Sequence, residues 1–586
     1  MADPIRIANC SGFFGDRLAG AREMVEGGPI DVLTGDWLAE LTMLILSRIR
    51  AKNPGRGFAG TFVTQMEQVM GACLDQGITV VSNAGGLDPG GCAEALHEVA
   101  DRLGLAPTIA WVDGDDLLDR AVDLAASGDL VPFDPENGLG DVARYVSANA
   151  YLGCWGIVEA LAGGADIVIT GRVTDAAVVC GPAAHHHGWA RDDWDALAGA
   201  VVAGHVIECS AQATGGNYSF FSEVPGRERI GFPWAEVSAD GSSVIGKHDG
   251  TGGLVSAGTI TSQLLYEIGS ERYLGPDVVA RFDTIRLDEI AKDRVRISGV
   301  RGEPPSGSLK VAMNELGGYR NDMVLALTGL DIEAKAEMAE EAFWAACPLG
   351  PDDFDSCEVR LVRTDHIDPD SNEAATAQLR ISVKNRDERT VGRVFSNAMT
   401  ETGLSSIPGF YSLSGGPSAG SPYGVYRPAL ISGELVPQYV HLNSRTVMVE
   451  SVPAGMTGSS IEVDAGSPIP SPSGPTRRAA LGTVFGTRSG DKGGDANLGI
   501  FARSDEAWAW LRDHLTTEHL SELLPETAAH TIDRYELGNI RSLNFVVRGL
   551  LSEGVAASTR TDAQAKSLGE WLRARFVELP ISLLDS

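Results

Sequence analysis

Cysteine is scarce in this sequence. The eight that occur, Cys10, Cys73, Cys92, Cys154, Cys180, Cys209, Cys347 and Cys357, form no CxxC pair. That spacing argues against a disulfide framework and suits reduced thiols in a cytoplasmic chain. No run of about 18 uncharged apolar residues appears, so no membrane span is expected. The opening MADPIRIAN passes directly into a strand-like run, without the apolar core of a signal peptide. Basic charge is in deficit: 47 Lys and Arg stand against 79 Asp and Glu, for a net charge of −32. Such a surface repels phosphate backbones and anionic headgroups, so neither nucleic acid nor a membrane is an expected partner. An anionic small molecule would need a local pocket of cations or amides. HExxH, a GxGxxG in register and a P-loop lysine are also missing. Their absence removes the usual sequence signatures of zinc, dinucleotide and nucleotide chemistry. No metal and no cofactor is expected.

What is present is an ordinary folded composition. Of 586 residues, 43% are hydrophobic and 22% charged. Disorder would need a poorer apolar fraction, and this length calls for two or three domains.

Over residues 1–217, short apolar runs alternate with helical patterns. Strands are expected at Ile5–Ala8, Asp31–Leu33, Thr79–Ser82, Thr108–Val112 and Ile167–Ile169. Helices are expected at Gly35–Arg50, Gly91–Leu103 and Asn149–Gly163. This alternation predicts an α/β lobe with a mostly parallel, three-layer sheet. Polar turns follow several strands: Ser11-Gly12, Asn83 to Gly86, Asp113-Gly114 and Gly171-Arg172. They should share one sheet edge, where open α/β sheets bind ligands. Residues 218–450 read as a mixed α+β lobe. Strand-like runs occur at Arg294–Val300, Glu358–Val362 and Gln378–Val383, and a helical run at Asp331–Ala346. Residues 451–478, rich in Pro, Ser and Gly, read as an extended linker. A small α+β module is expected over 479–580, with strands near Leu481–Thr487 and Ile540–Val547 and helices near Glu506–Leu515 and Asp562–Phe576.

Candidate chemistry concentrates between Ser147 and Asn217. Arg172 could clamp a carboxylate or phosphate, and Asp175 could orient it or act as a base. A structural Arg–Asp pair or helix cap is the alternative. His205 and Glu208 are three apart and would share a helix face. Beside Val206, Ile207 and Cys209, the carboxyl could take a raised pKa and serve in acid–base work; a surface pair is the alternative. Gln212 and Asn217 could orient a carbonyl, with Gly215 and Gly216 offering amides, against a plain turn. Asn83, Gly85 and Gly86 could present amides to an anion, against a tight structural turn. Asn9, Ser11, Gly12 and Asp36 could line the same edge. His248, in the loop HDGTGG, could be a second acid–base group or sit in a simple β-turn. Adjacent histidines at His185–His187 converge poorly on one ion and read as a loop rather than a metal site. In the last module, Arg488 and Lys492 could receive a phosphate or carboxylate, or pair with Asp491 and Asp495. Asn539, Arg541 and Asn544 could face the same region.

The stretches IANCSGFFGDR, SANAYLG, TGRVTDAA, GHVIECSAQATGGN and HDGTGGLV resemble the acyclic terpene utilisation protein AtuA family. GTRSGDKGGDANLGI, ELGNIRSLNFVVRGLL and RTDAQAKSLGEWL resemble its AtuA-like C-terminal domain, which implies a ferredoxin-like fold there. The resemblance implies a pathway that degrades citronellol- and geraniol-type terpenes through acyl-CoA intermediates. It assigns neither a reaction nor catalytic residues. Together these readings predict an enzyme acting on a branched acyl-CoA or related carboxylate, by hydration/dehydration or carbon–carbon cleavage. Glu208, His205, Asp175 and His248 are the expected acid–base groups. Arg172, Asn83, Gly85, Gly86, Gln212, Gly215, Gly216, Asn217, Arg488 and Lys492 are the expected substrate contacts. The alternative is a non-catalytic ligand-binding or assembly protein for pathway enzymes. The expected partner is a small molecule such as a CoA thioester, in a cytoplasmic homo-oligomer.

Overall fold

The β-branched and aliphatic runs Ile5–Asn9, Val32–Gly35, Thr79–Ser82, Ile109–Asp113 and Ile167–Thr170 form strands at the centre of an 11-stranded sheet. This arrangement comes from a computed structural model that describes residues 3–135, 138–451, 461 and 469–585. The five strands run parallel, and the strand at 167–170 inserts between those at 79–82 and 109–113. Their side chains alternate between faces, as the pleat requires. Ile7, Val32, Val81 and Val168 enter one apolar core; Ala8, Leu33, Val80 and Ile169 enter another. Helices Gly20–Gly27, Gly60–Gln76 and Pro89–Leu103 pack into the second core. Helices Trp155–Ala162, Ala177–His187 and Trp194–Ile207 pack into the first.

The expectation of a mostly parallel three-layer sheet needs correction, because the sheet is mixed. Pro233–Val237 pairs antiparallel to Ile5–Asn9, and Ser243–Lys247, Arg294–Ser298 and Arg286–Ala291 continue that flank. Gln438–Leu442 pairs antiparallel to Ile109–Asp113 at the other flank and carries Arg445–Val449 beyond it. These flanking strands come from sequence beyond residue 217 and pair antiparallel, so the βα alternation before it does not reveal them. The segment 149–163 also differs from its helical reading. Tyr145–Ala150 is a strand, and the helix starts only at Trp155.

The parallel centre determines where the chemistry falls. Its five C-terminal strand ends lie on one edge and carry Asn9, Asp36, Asn83, Asp115 and Arg172 within a few residues of their last strand positions.

The chain divides into two compact units, Met1–Asn314 with Tyr426–Ser586, and Glu315–Val425. The expected lobe 218–450 therefore contributes to both. In the second unit, Ser356–Val362 and residues 319–328 flank Thr376–Asn385 as antiparallel neighbours. Helices Ile332–Ala346 and Arg393–Glu401 bury Phe343, Phe395 and Met399 against them.

Within the first unit, the C-terminal residues form a four-stranded antiparallel sheet in the order Gly486–Lys492, Asp495–Phe501, Ser542–Val547, Ile532–Leu537. Helices Asp505–His514, Thr517–Leu523 and Leu568–Arg573 complete its core. The last is far shorter than the helix expected over 562–576. This module joins the α/β portion through buried contacts. Ser219 Oγ donates to Thr487 O and accepts from Thr487 N, both at 2.9 Å. Asn539 Nδ2 donates to the carbonyls of Phe282 and Ile285. Asn544 Nδ2 donates to Gly269 O at 2.6 Å. Most of the expected linker over 451–478 lies outside the described residues.

Candidate active site

The site begins at the end of the strand Ile167–Thr170. The chain turns there against Asp115, whose carboxylate accepts from Arg172 N at 2.9 Å and from Asn149 Nδ2 at 2.8 Å. Burial pushes the Asp115 carboxyl up to about 7. The turn directs the Arg172 side chain inward, where only 2% of the residue stays exposed. Its guanidinium lies 3.9 Å from the centre of the Tyr151 ring. Nη1 donates to Asp175 Oδ1 at 2.6 Å and to Val173 O at 2.9 Å. Nε is buried without a hydrogen-bond partner among the described residues. Nη2 makes no hydrogen bond to the described residues, and the bonds from the terminal nitrogens all leave from Nη1. Nε and Nη2 are the two donors of the guanidinium's side edge, the edge that fits a carboxylate bidentately. Burial works against the charge of Arg172, but Asp175, Tyr151 and Asp36 overcome it and hold the group cationic.

Three carboxyl groups surround this arginine. Asp36 follows the second parallel strand. Its Oδ1 accepts from Asn83 Nδ2 at 2.5 Å and from Leu38 N at 3.1 Å. Burial first, and then Asp175 and Glu208, drive the Asp36 carboxyl well above its usual range. Asp175 keeps 27% of its side chain open. Glu208 comes from the helix Trp194–Ile207, whose small residues let it lie close against its neighbour Ala177–His187. Gly204 leaves no room for a side chain, since a Cβ there would stand 2.8 Å from Ala176 Cα. Asn9 Nδ2 caps the end of this helix by donating to the carbonyls of Ile207 and Glu208. Glu208 is 6% exposed, with Oε2 lacking a bonded partner. Burial, Asp175 and Glu267 raise its carboxyl well above the usual range. His205 Nδ1 stands 3.2 Å from Glu208 Oε1, and the ring packs against Tyr273 and Phe282. Burial lowers His205 to about 4, so the imidazole is neutral near pH 7.

A second group of residues lies next to these. Lys310 Nζ is 3.2 Å from Glu40 Oε1 and sits over the rings of Tyr151 and Tyr426. Lys310 and Glu40 keep 35% and 27% of their side chains open, so this side of the cluster admits solvent-sized molecules. From the C-terminal module, Arg488 donates to Gln212 Oε1 and stacks 4.1 Å from the Tyr266 ring centre. Lys566 Nζ lies 3.1 Å from Tyr266 Oη, and Lys492 Nζ donates to Glu267 O at 3.0 Å. Glu267 has a left-handed backbone, φ 57°. Its N–H donates to Asn497 Oδ1, so the module clamps this strained residue from both sides.

The structure thus brings together Arg172, Asp175, His205, Glu208, Gln212, Asn83, Arg488 and Lys492 from the residues singled out in the sequence. Others lie apart. The His248 ring rests against Gly27 and Gly28 and its Nε2 meets Met24 O at 3.0 Å, outside this cluster. The amides of Gly215 and Gly216 donate to Gln212 O and Ala211 O, which makes them a closed turn rather than carbonyl donors. Asn217 is exposed with φ 57°. The Gly86 amide donates to Asn83 O, and Gly85 packs against Thr170 O and Pro89, a tight structural turn. His186 and His187 meet the carbonyls of Asp3 and Val237. Asp495 pairs with Arg548, not with Arg488 or Lys492. Arg541 pairs with Asp505. No three His, Cys, Asp or Glu side chains among the described residues group so as to hold a metal ion. No helix among them is long and apolar enough to cross a membrane. Glu40, Tyr151, Tyr266, Glu267, Lys310, Tyr426 and Lys566 escaped the sequence reading. Tyr151 lies inside the SANAYLG stretch and Lys566 inside RTDAQAKSLGEWL, but nothing local marks the others.

The family model described as acyclic terpene utilisation family protein AtuA matches residues 5–442. The chain belongs to the AtuA family. The AtuA ferredoxin-like domain matches 479–578, the module that carries Arg488, Lys492 and Lys566. No curated protein and no solved structure matches the chain. The AtuA match thus covers the buried Arg172 cluster, and the ferredoxin-like match covers the cations beside it.

Proposed function

We propose that this AtuA-family chain is an enzyme that adds water to, or removes it from, a branched acyl thioester or related carboxylate bound at Arg172. The observation that carries this reading is the bare side edge of Arg172. Nε, buried without a partner, and Nη2, which bonds to none of the described residues, sit side by side on a fixed cation that is 2% exposed, an edge suited to a planar anionic acceptor. The surrounding carboxyl groups supply the proton chemistry. Glu208, held protonated by burial beside Asp175, donates its proton to the departing hydroxyl. Asp175, open to the same space and fixed by Arg172, takes the proton from the carbon next to the carbonyl. The C–O bond breaks, a C=C bond forms and water leaves. The proton on Asp175 returns through solvent to Glu208, and hydration is the reverse. His205 acts as a positioning residue, because its neutral ring packs 3.2 Å from Glu208 Oε1 and bounds that side of the carboxyl group.

The test is to incubate the protein with a panel of branched enoyl- and 3-hydroxyacyl-CoA esters and read the gain or loss of one water by mass. Glu208→Gln keeps the shape and removes the acid, so turnover should fall by about 10²- to 10⁴-fold with the fold retained. Unchanged turnover in that variant would exclude Glu208 as the acid. Conversion of no ester would exclude the reaction class.

A further inference from the structure

The cations of the C-terminal module fall into two kinds. Arg503, Arg541, Arg548 and Arg560 each pair with a carboxylate on the protein surface. Arg488, Lys492 and Lys566 make no ion pair among the described residues, and each reaches a polar atom of the α/β portion that is not a carboxylate. Arg488 and Lys566 share one aromatic ring, Tyr266, at 4.1 and 5.5 Å from its centre. Arg488 is 7% exposed and its Nε is buried without a partner. Converging unpaired cations repel each other, and a chain of net charge −32 has ample carboxylates to neutralise them. The nearest acids do so only in part. Burial and Glu267 push the Asp491 carboxyl up to about 8, and burial raises Glu267 itself.

This charge surplus adjoins the Arg172 seat. The short turn from Glu208 to Gln212 runs between them, with Arg172 and its carboxyls at one end and Arg488 on Gln212 at the other. We infer that the ligand carries two anionic groups, one received by the side edge of Arg172 and the second, a carboxylate or phosphate, received by Arg488, Lys492 and Lys566. This rests on the reading of Arg172 as the first seat. It makes the substrate a dicarboxylate or a carboxylate bearing a phosphate group, and makes the C-terminal module part of the binding site. Lys566, whose side chain is exposed at the rim, becomes a specificity residue.

Calorimetric titration of the full chain with 3-methylglutarate, coenzyme A and 3-methylbutanoate tests the inference. At least one of the first two should bind more than about tenfold tighter than the monocarboxylate, as a second charge-assisted contact requires. An advantage for 3-methylglutarate identifies a carboxylate in the second seat, and one for coenzyme A a phosphate. Lys566→Gln and Lys492→Gln should erase that advantage while leaving 3-methylbutanoate binding unchanged. Equal binding of all three probes, binding of none, or an advantage that survives both substitutions would overturn the inference. The underlying reading fails separately if Arg172→Lys leaves every affinity unchanged.

Discussion

Arg172 and Asp277 show how single buried charges organise this protein. Arg172 is fixed by a ring, a carboxylate and a carbonyl on one side, and its other edge makes no hydrogen bond to the described residues. Arg172→Lys keeps the charge but loses the planar side edge. KM for the substrate should rise by about tenfold or more, with a smaller change in kcat. Steady-state kinetics on the substrate identified by mass would measure it. Asp277 is buried, pairs with no cation among the described residues, and accepts at Oδ2 from Cys154 N at 2.9 Å. Burial raises its carboxyl from 3.8 to about 6. A raised acid binds its proton more tightly in the folded state. Its contribution is therefore complete below about pH 4 and lost as pH rises to about 6, a slope worth roughly 3 kcal/mol in all. Asp277→Asn keeps an acceptor for Cys154 N and cannot titrate. Denaturant melts at several pH values should show a shallower fall in stability for the variant between those limits.

At the scale of elements, the helix Trp194–Ile207 sets the geometry of His205 and Glu208, and its position depends on Gly204. Gly204→Val would drive a side chain into the Ala176 backbone. Overpacking of this kind typically costs about 1–3 kcal/mol, so the melting temperature should fall. Turnover should fall further than the stability loss explains, because the helix end carries the proposed acid. This element also marks how far the sequence can be read. The parallel strands stood out because each is a short aliphatic run ending in a polar turn, and Thr79–Ser82 matches residue for residue. The His205–Glu208 spacing was visible because helical periodicity is local. The antiparallel flanks were invisible because Pro233–Val237 meets Ile5–Asn9 across more than two hundred residues of sequence. Lys310 and Glu267 were missed for the same reason, since tertiary packing alone brings them to Arg172. Gly215-Gly216 shows the opposite case: the motif suggested ligand amides, but the carbonyls of Gln212 and Ala211 already accept from them.

At the scale of the whole molecule, charge is concentrated in two opposite ways. The chain carries −32 overall, yet Arg172, Lys310, Arg488, Lys492 and Lys566 gather around one cluster. The surface repels itself and salt screens that repulsion over about 10 Å at 0.1 M. The melting temperature should therefore rise from about 10 to 150 mM sodium chloride, while affinity for an anionic ligand falls. A melting temperature that drops with salt would mean that surface ion pairs outweigh the net repulsion. The proposed reaction depends on proton transfer to and from a ligand held at Arg172. Deuterium exchange measures it directly: branched 3-hydroxyacyl-CoA esters are incubated with the protein in heavy water and analysed by mass and NMR. Wild type should place deuterium on the carbon next to the thioester carbonyl of at least one ester, and Asp175→Asn, folded by its melting curve, should place none. Absence of label with every ester, or equal labelling by the variant, would contradict the proposed proton transfer.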